Sequence, residues 1–496
     1  MELLAQIADG FQTAISPVNL LYCFIGVLLG TVTGLLPGLG SPTAVALLLP
    51  LTLTMEPVSA LIMLAGIYYG TQYGATITSV LVATPGDSST VVTTIDGYQL
   101  ARQGRAGPAL AIAAIASFLA GTISIVLLMT VAPTLASLAI NFGPPETFAL
   151  GVVGLAGVIG FTGSSRAKGL AMAALGLATV GIDPQTGISR FAFGNVELLG
   201  GIGFLEVTIG LFAIAELVTQ LKTGTPEPIR TSYREMLPTR EDWRRSRGPI
   251  FRGGLLGFVV GTIPGVGATL ASFLAYDLER RVSSRKEEFG KGAIEGVAAP
   301  EAANNSSANA AFVPLLTLGI PSSGTAAVLL GAFLLYGIQP GPLLIEEQPE
   351  LVWGLLASFY IGNVILLVMN LPLAPMFASI LRLRYALMYP LILLLSFLGA
   401  FAIENRLWGV WLALGFGVIG YFMKRYDYPA PPVILGLILG GIMEEALVQT
   451  SSIGGGDFTI FLDRPIALGL FGLAAVIVLG PVIWKAPKNL SRRTSE

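Results

Sequence analysis

The sequence predicts an all-α polytopic membrane protein built from two inverted repeats with broken helices. Of its 496 residues, 53% are hydrophobic and only 12% are charged, whereas a soluble chain is usually about 25% charged. Several apolar runs approach or exceed the roughly 20 residues that cross a bilayer as a helix. The clearest runs are residues 18–36, 110–140, 201–221 and 466–484. A motif of glycines and a proline occurs twice, which predicts the repeat.

Composition excludes several classes of function. The chain has no histidine, so it cannot contain a catalytic triad or a zinc site built on histidine. Its net charge of −2 gives no reason to expect a nucleic-acid partner. The single cysteine, Cys23, cannot form an internal disulfide.

A basic segment at residues 222–252 divides the chain. It holds eight Lys and Arg residues against four Asp and Glu residues, so the positive-inside rule places it in the cytoplasm. The bases of the C-terminal tail indicate the same side, while the N-terminus, with Glu2 and Asp9 but no base, is expected outside. The predicted organisation is repeat one at 1–221, a cytoplasmic linker at 222–252 and repeat two at 253–496.

The repeat is clearest where the chain interrupts its own helices. Residues 26–44, shifted by 227 positions, match residues 253–271 at ten of nineteen positions. The matches include PGLG at 37–40 (break A) and PGVG at 264–267 (break C). A weaker pair is PGDS at 85–88 (break B) and PSSG at 321–324 (break D), whose prolines are 236 residues apart. Proline and glycine interrupt helices, and repeated broken helices are typical of secondary transporters.

The two copies are expected to face opposite sides of the membrane. Copy one begins outside, and copy two begins at the cytoplasmic linker. Arg102 and Arg105 follow break B, whereas Glu346, Glu347 and Glu350 follow break D, which agrees with inversion under the positive-inside rule. Each copy also has a glycine ladder, at 26, 30 and 34 or at 253, 257 and 261, which predicts close helix packing.

The four breaks are predicted to form one anion site. A half-helix that begins after a break directs free N–H groups at a cavity, and such ends attract anions. A charge at the bilayer centre costs about 2.5–3.5 kcal/mol, and one helix end returns roughly 0.3–1 kcal/mol, so several ends and hydroxyls must act together. The alternative is ordinary proline kinks in packed helices. The predicted substrate-binding residues are Pro37, Gly38, Gly40, Ser41, Thr43, Pro85, Gly86, Ser88, Ser89, Pro264, Gly265, Gly267, Thr269, Asn304, Asn305, Pro321, Ser322 and Ser323.

The richest polar stretch, residues 295–325, supplies candidates for ion coupling. Neighbours on a helix point about 100° apart, so Asn304 and Asn305 need not share a partner. The alternative is an interfacial loop whose polar groups are solvated. Hydroxyls and freed backbone carbonyls favour Na⁺, with its ligands unassigned, while H⁺ coupling through Glu301 or Asp87 stays open; no other cofactor is expected. The coupling-ion candidates are Asp87, Glu301, Asn304 and Thr325.

These motifs resemble the large membrane subunit of the tripartite tricarboxylate transporters nearly end to end. The resemblance is strongest in GLLPGLGSPTAVALLLPLT, in YYGTQYGATITSVLVATPGDSSTVVTTIDGYQLARQGRAGPAL, in FGKGAIEGVAAPEAANNSSANAAFVPLLTLGIPSSGTAAVLLGAFLLYGIQPGPLL and in GDFTIFLDRP. It implies a bacterial inner-membrane permease of about twelve helices that imports a citrate-like or related organic acid, driven by an ion gradient. The implied partners are a small four-helix membrane subunit and a periplasmic solute-binding protein. One departure is NNSSAN, where the family is expected to have smaller apolar residues after the two asparagines.

Other functions fit the sequence less well. The breaks lack the Lys-Ser/Thr of a phosphate-binding loop, which disfavours an ATP-driven pump. A passive anion channel stays open, although inverted breaks fit alternating access better. An intramembrane aspartyl protease would need Asp427 and Asp457 to form a dyad, but both aspartates are predicted to be solvated.

Overall fold

The structure is a computed structural model that describes residues 2–36, 38–139, 142–161, 165–178, 181–182, 188–220, 229, 236–380 and 385–490. Within these ranges nearly all regular structure is helical. The exception is one antiparallel pair of two-residue strands, β1 (Gly181–Ile182) and β2 (Ser189–Arg190). The all-α membrane class is therefore confirmed.

The first half of the chain forms ten α-helices within the described residues. They are α1 (Glu2–Ala14), α2 (Pro17–Gly34), α3 (Gly40–Leu48), α4 (Pro57–Val82), α5 (Val91–Arg102), α6 (Ala106–Ala139), α7 (Pro144–Phe161), α8 (Arg166–Leu177), α9 (Phe204–Thr208) and α10 (Ala215–Gln220). A π-helical segment, Ile209–Ile214, joins α9 to α10 without a gap. Breaks A and B lie where α2 gives way to α3 and where α4 gives way to α5.

The second half of the chain forms eleven α-helices within the described residues. Its helices are α11 (Arg240–Gly261), α12 (Gly267–Val282), α13 (Glu295–Ala310), α14 (Phe312–Leu318), α15 (Gly324–Leu335), α16 (Leu344–Glu347), α17 (Pro349–Ile380), α18 (Tyr385–Glu404), α19 (Leu407–Arg425), α20 (Pro431–Ile453) and α21 (Pro465–Leu490). Break C separates α11 from α12, and break D separates α14 from α15. Helix α11 begins at Arg240 with a capping box between Thr239 and Asp242, so the end of the predicted linker is helical.

Five described helices are long and apolar enough to cross a bilayer. They are Pro17–Gly34, Ala106–Ala139, Pro349–Phe377, Leu407–Arg425 and Pro431–Ile453. The shorter apolar helices include Gly40–Thr52 and Gly324–Leu335, which begin next to breaks A and D. The chain is thus a multi-pass membrane protein, while the number of twelve spans stays a prediction.

The glycine ladders hold paired helices in backbone contact. A Cβ on Gly30 would lie 2.3 Å from the carbonyl oxygen of Ile67 on α4. A Cβ on Gly257 would lie 2.4 Å from the carbonyl oxygen of Ala303 on α13. Because no real side chain tolerates such distances, both ladders require glycine, and their predicted role in packing is confirmed.

Two polar clusters lie at the two ends of α6, whose 34 residues span about 50 Å. At its start, Arg105 forms an ion pair with Asp242 of α11. Beyond its end, Phe142 lines a cavity with Glu347. Asp9, near the N-terminus, lines another cavity together with Glu350. Glu350 follows Glu347 by three residues, so this cavity lies near the same end of α6.

Candidate functional site

A single cavity of about 320 Å³ is lined by residues in or next to all four breaks. This volume is at the small end of the roughly 300–1,000 Å³ that is usual for small-molecule sites. The two halves of the chain contribute to it in comparable measure. Its lining residues are Ser41, Pro42, Tyr68, Gln72, Asp87, Ser88, Ser89, Gly265, Val266, Gly267, Ala268, Thr269, Ser323, Gly324, Thr325 and Pro431.

Glycines allow the chain to reverse at breaks A and C. Gly38 and Gly40 have φ values of 79° and 59°, and Gly265 and Gly267 have values of 81° and 65°. Residues with a side chain rarely adopt this left-handed region. The conformation lets α3 and α12 begin at the cavity, directly after the breaks.

In the first half, breaks A and B are joined by backbone hydrogen bonds. The N–H of Gly38 donates to the carbonyl of Pro85 at 3.3 Å, and the N–H of Gly40 donates to the carbonyl of Gly86 at 2.9 Å. These bonds satisfy peptide groups that the interrupted helices would otherwise leave free. Gly38, Gly40, Pro85 and Gly86 therefore act as the scaffold of the site and do not line it.

The Asp87 carboxylate also links breaks A and B by hydrogen bonds. Its Oδ2 accepts from the N–H and the hydroxyl of Ser41, at 2.7 and 2.8 Å. Its Oδ1 accepts from the N–H and the hydroxyl of Ser89, at 2.9 and 2.8 Å. An anion thus occupies the N-terminus of α3, as its free amides and dipole favour.

The second half closes its breaks less completely. Helix α12 begins with the N–H groups of Gly267, Ala268 and Thr269. Among the described residues, none of these groups donates a hydrogen bond other than those within the helix. Ser323 caps α15 by accepting from the N–H of Ala326 at 3.1 Å. The halves meet where the hydroxyls of Ser88 and Thr269 lie 2.8 Å apart.

The cavity has polar groups but no basic side chain in its lining. Asp87 is the only carboxylate among the lining residues. Gln72 lines the cavity, is 2% exposed, and its Oε1 has no partner among the described residues. An anion that enters must therefore be held by N–H groups, hydroxyls and any cation that accompanies it.

Several other predicted residues within the described ranges do not line this cavity. The hydroxyl of Thr43 donates to the carbonyl of Phe212 at 3.3 Å. Ser322 is fully buried, and its Oγ has no partner among the described residues. Pro264 and Pro321 shape breaks C and D without lining the cavity, and Pro37 lies outside the described residues.

The polar stretch after residue 295 is helix α13, and every one of its residues is buried. The alternative of a solvated interfacial loop is therefore wrong. Glu301 accepts from Thr76 at 2.8 Å and from Thr93 at 2.5 Å. Asn305 donates to Ser117 at 2.7 Å. These bonds link α13 to α4, α5 and α6 of the first half, beside a space of about 10 Å³.

Asn304 and Asn305 have different surroundings, as their helical spacing predicts. Asn304 is fully buried, and neither its Oδ1 nor its Nδ2 has a partner among the described residues. A buried amide without a partner costs about 1–3 kcal/mol. Asn304 does not line the cavity.

The model of the tripartite tricarboxylate transporter TctA family matches residues 20–435. This chain belongs to that family. Two relatives of this chain come from Agrobacterium vitis. An uncharacterized 52.8 kDa protein in the TAR-I ttuC' 3' region is 45% identical over 483 residues, which are 96% of each chain. An uncharacterized protein in the TAR-II ttuC' 3' region is 43% identical over 223 residues, 45% of this chain and 92% of the relative. No solved structure matches.

Membership of the TctA family identifies the chain as a transporter subunit that functions with other components of a tripartite system. Transporters of this family are not enzymes. In agreement, Asp427 and Asp457 are both exposed, and the Asp457 carboxylate caps a short turn by accepting from the N–H of Thr459 at 2.8 Å. They do not have the burial that an intramembrane aspartate dyad requires.

Sequence reasoning missed seven lining residues of this TctA chain: Pro42, Val266, Ala268 and Gly324 lie in or next to the breaks, whereas Tyr68, Gln72 and Pro431 come from other parts of the chain. Tyr68 and Gln72 lie one turn apart on α4, and Pro431 begins α20. Gln72 carried a usable signal, because an uncharged polar side chain inside a buried membrane helix usually faces a partner or a cavity. Pro431 carried none, because only the tertiary fold brings α20 to the breaks.

Proposed function

We propose that this chain performs secondary active uptake of an organic polycarboxylate, a citrate-like tricarboxylate or a related acid, and that the central cavity binds it. The observation that carries the proposal is the lining of one cavity by residues in or next to all four breaks. Free N–H groups and hydroxyls converge there. Such groups bind carboxylates at membrane depth without a fixed positive charge.

The two halves are proposed to be inverted repeats that rock about this site. Equivalent contacts support the repeat: Gly26, Gly30 and Gly34 approach Met63, Ile67 and Thr71, while Gly253, Gly257 and Gly261 approach Ala299, Ala303 and Ser307. The first members of these pairs differ by 227 positions and the second by 236, the same shifts that relate the breaks. Matching contacts of this kind are what an internal repeat predicts.

The polar clusters at the ends of α6 support the inverted orientation. The linker side, with Arg105 and Asp242, is proposed to be cytoplasmic, and the side with Asp9 and Glu350 is proposed to be periplasmic. An accessibility reporter at Arg240 should then be reached from the cytoplasm, and one at Asp9 from the outside. Labelling of both positions from the same side would contradict the inverted arrangement.

Sodium coupling is proposed because the cavity has no positive charge to offset the substrate. A polycarboxylate beside Asp87 would otherwise bring several negative charges together at membrane depth, at a cost of about 2.5–3.5 kcal/mol or more for each one. The unpartnered Oε1 of Gln72 is a suitable ligand for a cation. Proton coupling through Glu301 or Asp87 is the competing version.

The proposed partners are a small four-helix membrane subunit and a periplasmic solute-binding protein, with the complex in the bacterial inner membrane. The test is uptake into proteoliposomes that contain all three components, with acetate, succinate and citrate as probes. We expect concentrative uptake of a di- or tricarboxylate that requires an inward sodium gradient. Uptake that ignores this gradient would contradict sodium coupling, and flux that only equilibrates the acid would indicate a channel.

The same assay tests the breaks directly. Replacing Gly265 by Ala, or Gly38 by Ala, forces a side chain into a left-handed backbone conformation at about 1–2 kcal/mol and misdirects the start of the next half-helix. We expect uptake to fall at least about tenfold, as a 1.4 kcal/mol loss would give, while membrane insertion persists. Gly104 has a φ of 78° in a turn away from the cavity, so Gly104→Ala is the matched control and should retain uptake.

A further inference from the structure

The two halves differ at one pair of equivalent positions beside the cavity. A shift of 236 residues pairs Asp87 of break B with Ser323 of break D. A Cβ on Gly40 would lie 3.6 Å from Oδ2 of Asp87, and a Cβ on Gly267 would lie 3.4 Å from Cβ of Ser323. Ser323 therefore stands beside break C as Asp87 stands beside break A.

In the first half, the structure shows how this fold holds a carboxylate. One oxygen of Asp87 accepts from the N–H of Ser41 at the start of α3, and the other accepts from the N–H and hydroxyl of Ser89. The carboxylate bridges the first amides that follow two breaks. Ionised acceptors on backbone N–H groups form stronger hydrogen bonds than neutral acceptors.

In the second half, the equivalent donors have no carboxylate. The same shifts convert Ser41 to Ala268 and Ser89 to Thr325. Among the described residues, the N–H groups of Ala268 and Thr325 donate no hydrogen bond other than those within their helices. The side chain of Thr325 lines the cavity, is 4% exposed and makes no hydrogen bond with a described residue.

A second observation points to a ligand in the same place. Gln72 lines the same cavity, is 2% exposed, and its Oε1 has no partner among the described residues. Buried polar atoms are almost always paired, so the unpaired donors and this unpaired acceptor together indicate a bound molecule that carries both an anionic group and a cation or a donor.

We propose that a carboxylate group of the transported acid binds between Ala268 and Thr325, in the arrangement that Asp87 shows between Ser41 and Ser89. The chain supplies its own carboxylate in the first half, and in the second half, where Ser323 replaces Asp87, the substrate supplies it. Asp87 is then a structural anion and the template of the subsite. This inference rests on the proposed function, because it assumes that the cavity binds an organic acid.

The test is to fill the subsite from within. Ser323→Asp places a carboxylate where the repeat predicts the substrate carboxylate, and Ser323→Asn is the uncharged control of the same shape. In the purified full-length protein, we expect Ser323→Asp to raise the unfolding temperature above that of Ser323→Asn without added acid. The ligand is whichever of acetate, succinate and citrate the wild type takes up. We expect this acid to stabilise the wild type and Ser323→Asn but not Ser323→Asp.

Uptake should follow the same order, with Ser323→Asp at least about tenfold below Ser323→Asn, the loss expected for one charged hydrogen-bonded contact. A second pair is independent of the first: Thr325→Val removes the hydroxyl and should weaken binding, whereas Thr325→Ser retains it. Equal binding and uptake by Ser323→Asp and Ser323→Asn would overturn the subsite, as would a lower unfolding temperature of Ser323→Asp. A wild-type protein that neither binds nor transports any of the three acids would instead overturn the proposed function.

Discussion

Asp87 and Glu301 are both buried, and neither has a basic partner among the described residues. They are held by different kinds of donor. Asp87 accepts from two backbone N–H groups and two hydroxyls, whereas the described partners of Glu301 are hydroxyls, including those of Thr76 and Thr93. A backbone N–H can only donate, but a hydroxyl can donate or accept.

The two sites therefore tolerate different side chains. Around Asp87 one backbone N–H donates to each carboxylate oxygen, so an NH₂ group in place of either oxygen would oppose a donor that cannot accept. The site around Glu301 can hold a carboxylate, a carboxylic acid or an amide, because Thr76 and Thr93 can reverse their hydrogen bonds. The following predictions test this contrast, from the largest expected effect to the smallest.

Asp87→Asn should have the largest effect. The new NH₂ group would face either the N–H of Ser41 or the N–H of Ser89, which replaces a hydrogen bond with an opposed pair of donors. Hydrogen bonds to charged groups contribute about 1.5–3 kcal/mol each, so we expect a loss of roughly 3 kcal/mol or more in the free energy of unfolding and no measurable uptake. Thermal unfolding in detergent checks the first result, and normal stability of this variant would contradict the template.

Thr93→Val should have an intermediate effect. It removes the donor that lies 2.5 Å from the Glu301 carboxylate and keeps the shape of the side chain, so we expect a loss of about 1.5–3 kcal/mol. Thr93→Ser keeps the hydroxyl and is the control. If both variants unfold at the same temperature, packing of the Thr93 methyl group matters more than its hydrogen bond.

Glu301→Gln should have a small effect. Thr76 and Thr93 can each donate to the new carbonyl or accept from the new NH₂ group, so we expect a change of at most about 1 kcal/mol and uptake within about threefold of the wild type, less than 1 kcal/mol in binding free energy. The measurement is sodium-driven uptake at several pH values. Loss of uptake in a variant that remains folded would identify Glu301 as the coupling residue and favour proton coupling over sodium.

The sequence predicted the four breaks and the glycine ladders because their chemistry is local. The left-handed glycines of breaks A and C follow directly from their PGxG motifs, and the ladder contacts follow from residues spaced four apart on one face. The sequence did not predict the partner of each side chain. Asp87 was a candidate ion ligand in the sequence, and only the tertiary structure brings Ser41 to its carboxylate.

The same limit applies to Glu301 and Gln72. The polar stretch around Glu301 was recognised, yet its donors Thr76 and Thr93 come from helices more than 200 positions away in the chain. Gln72 reaches the cavity because α4 packs beside breaks that the sequence places in other segments. Contacts between distant segments depend on helix packing, which local motifs do not encode.

Substitution of Asp242 should have the smallest effect, because its partner Arg105 is a cation near solvent. Burial opposes ionisation of this carboxyl, but hydrogen bonds from Arg105 and Thr239 outweigh burial and lower its pKa below the usual 3.8. The stability that ionised Asp242 contributes to the folded state is therefore fully present above pH 3.8. It is lost as the pH falls through the lower pKa of this carboxyl in the folded state. We expect Asp242→Asn to cost about 0.5 kcal/mol near neutral pH, typical of a partly exposed ion pair. The difference in unfolding temperature from the wild type should shrink in acid, and a difference that does not vary with pH would show that Asp242 acts only as a helix cap.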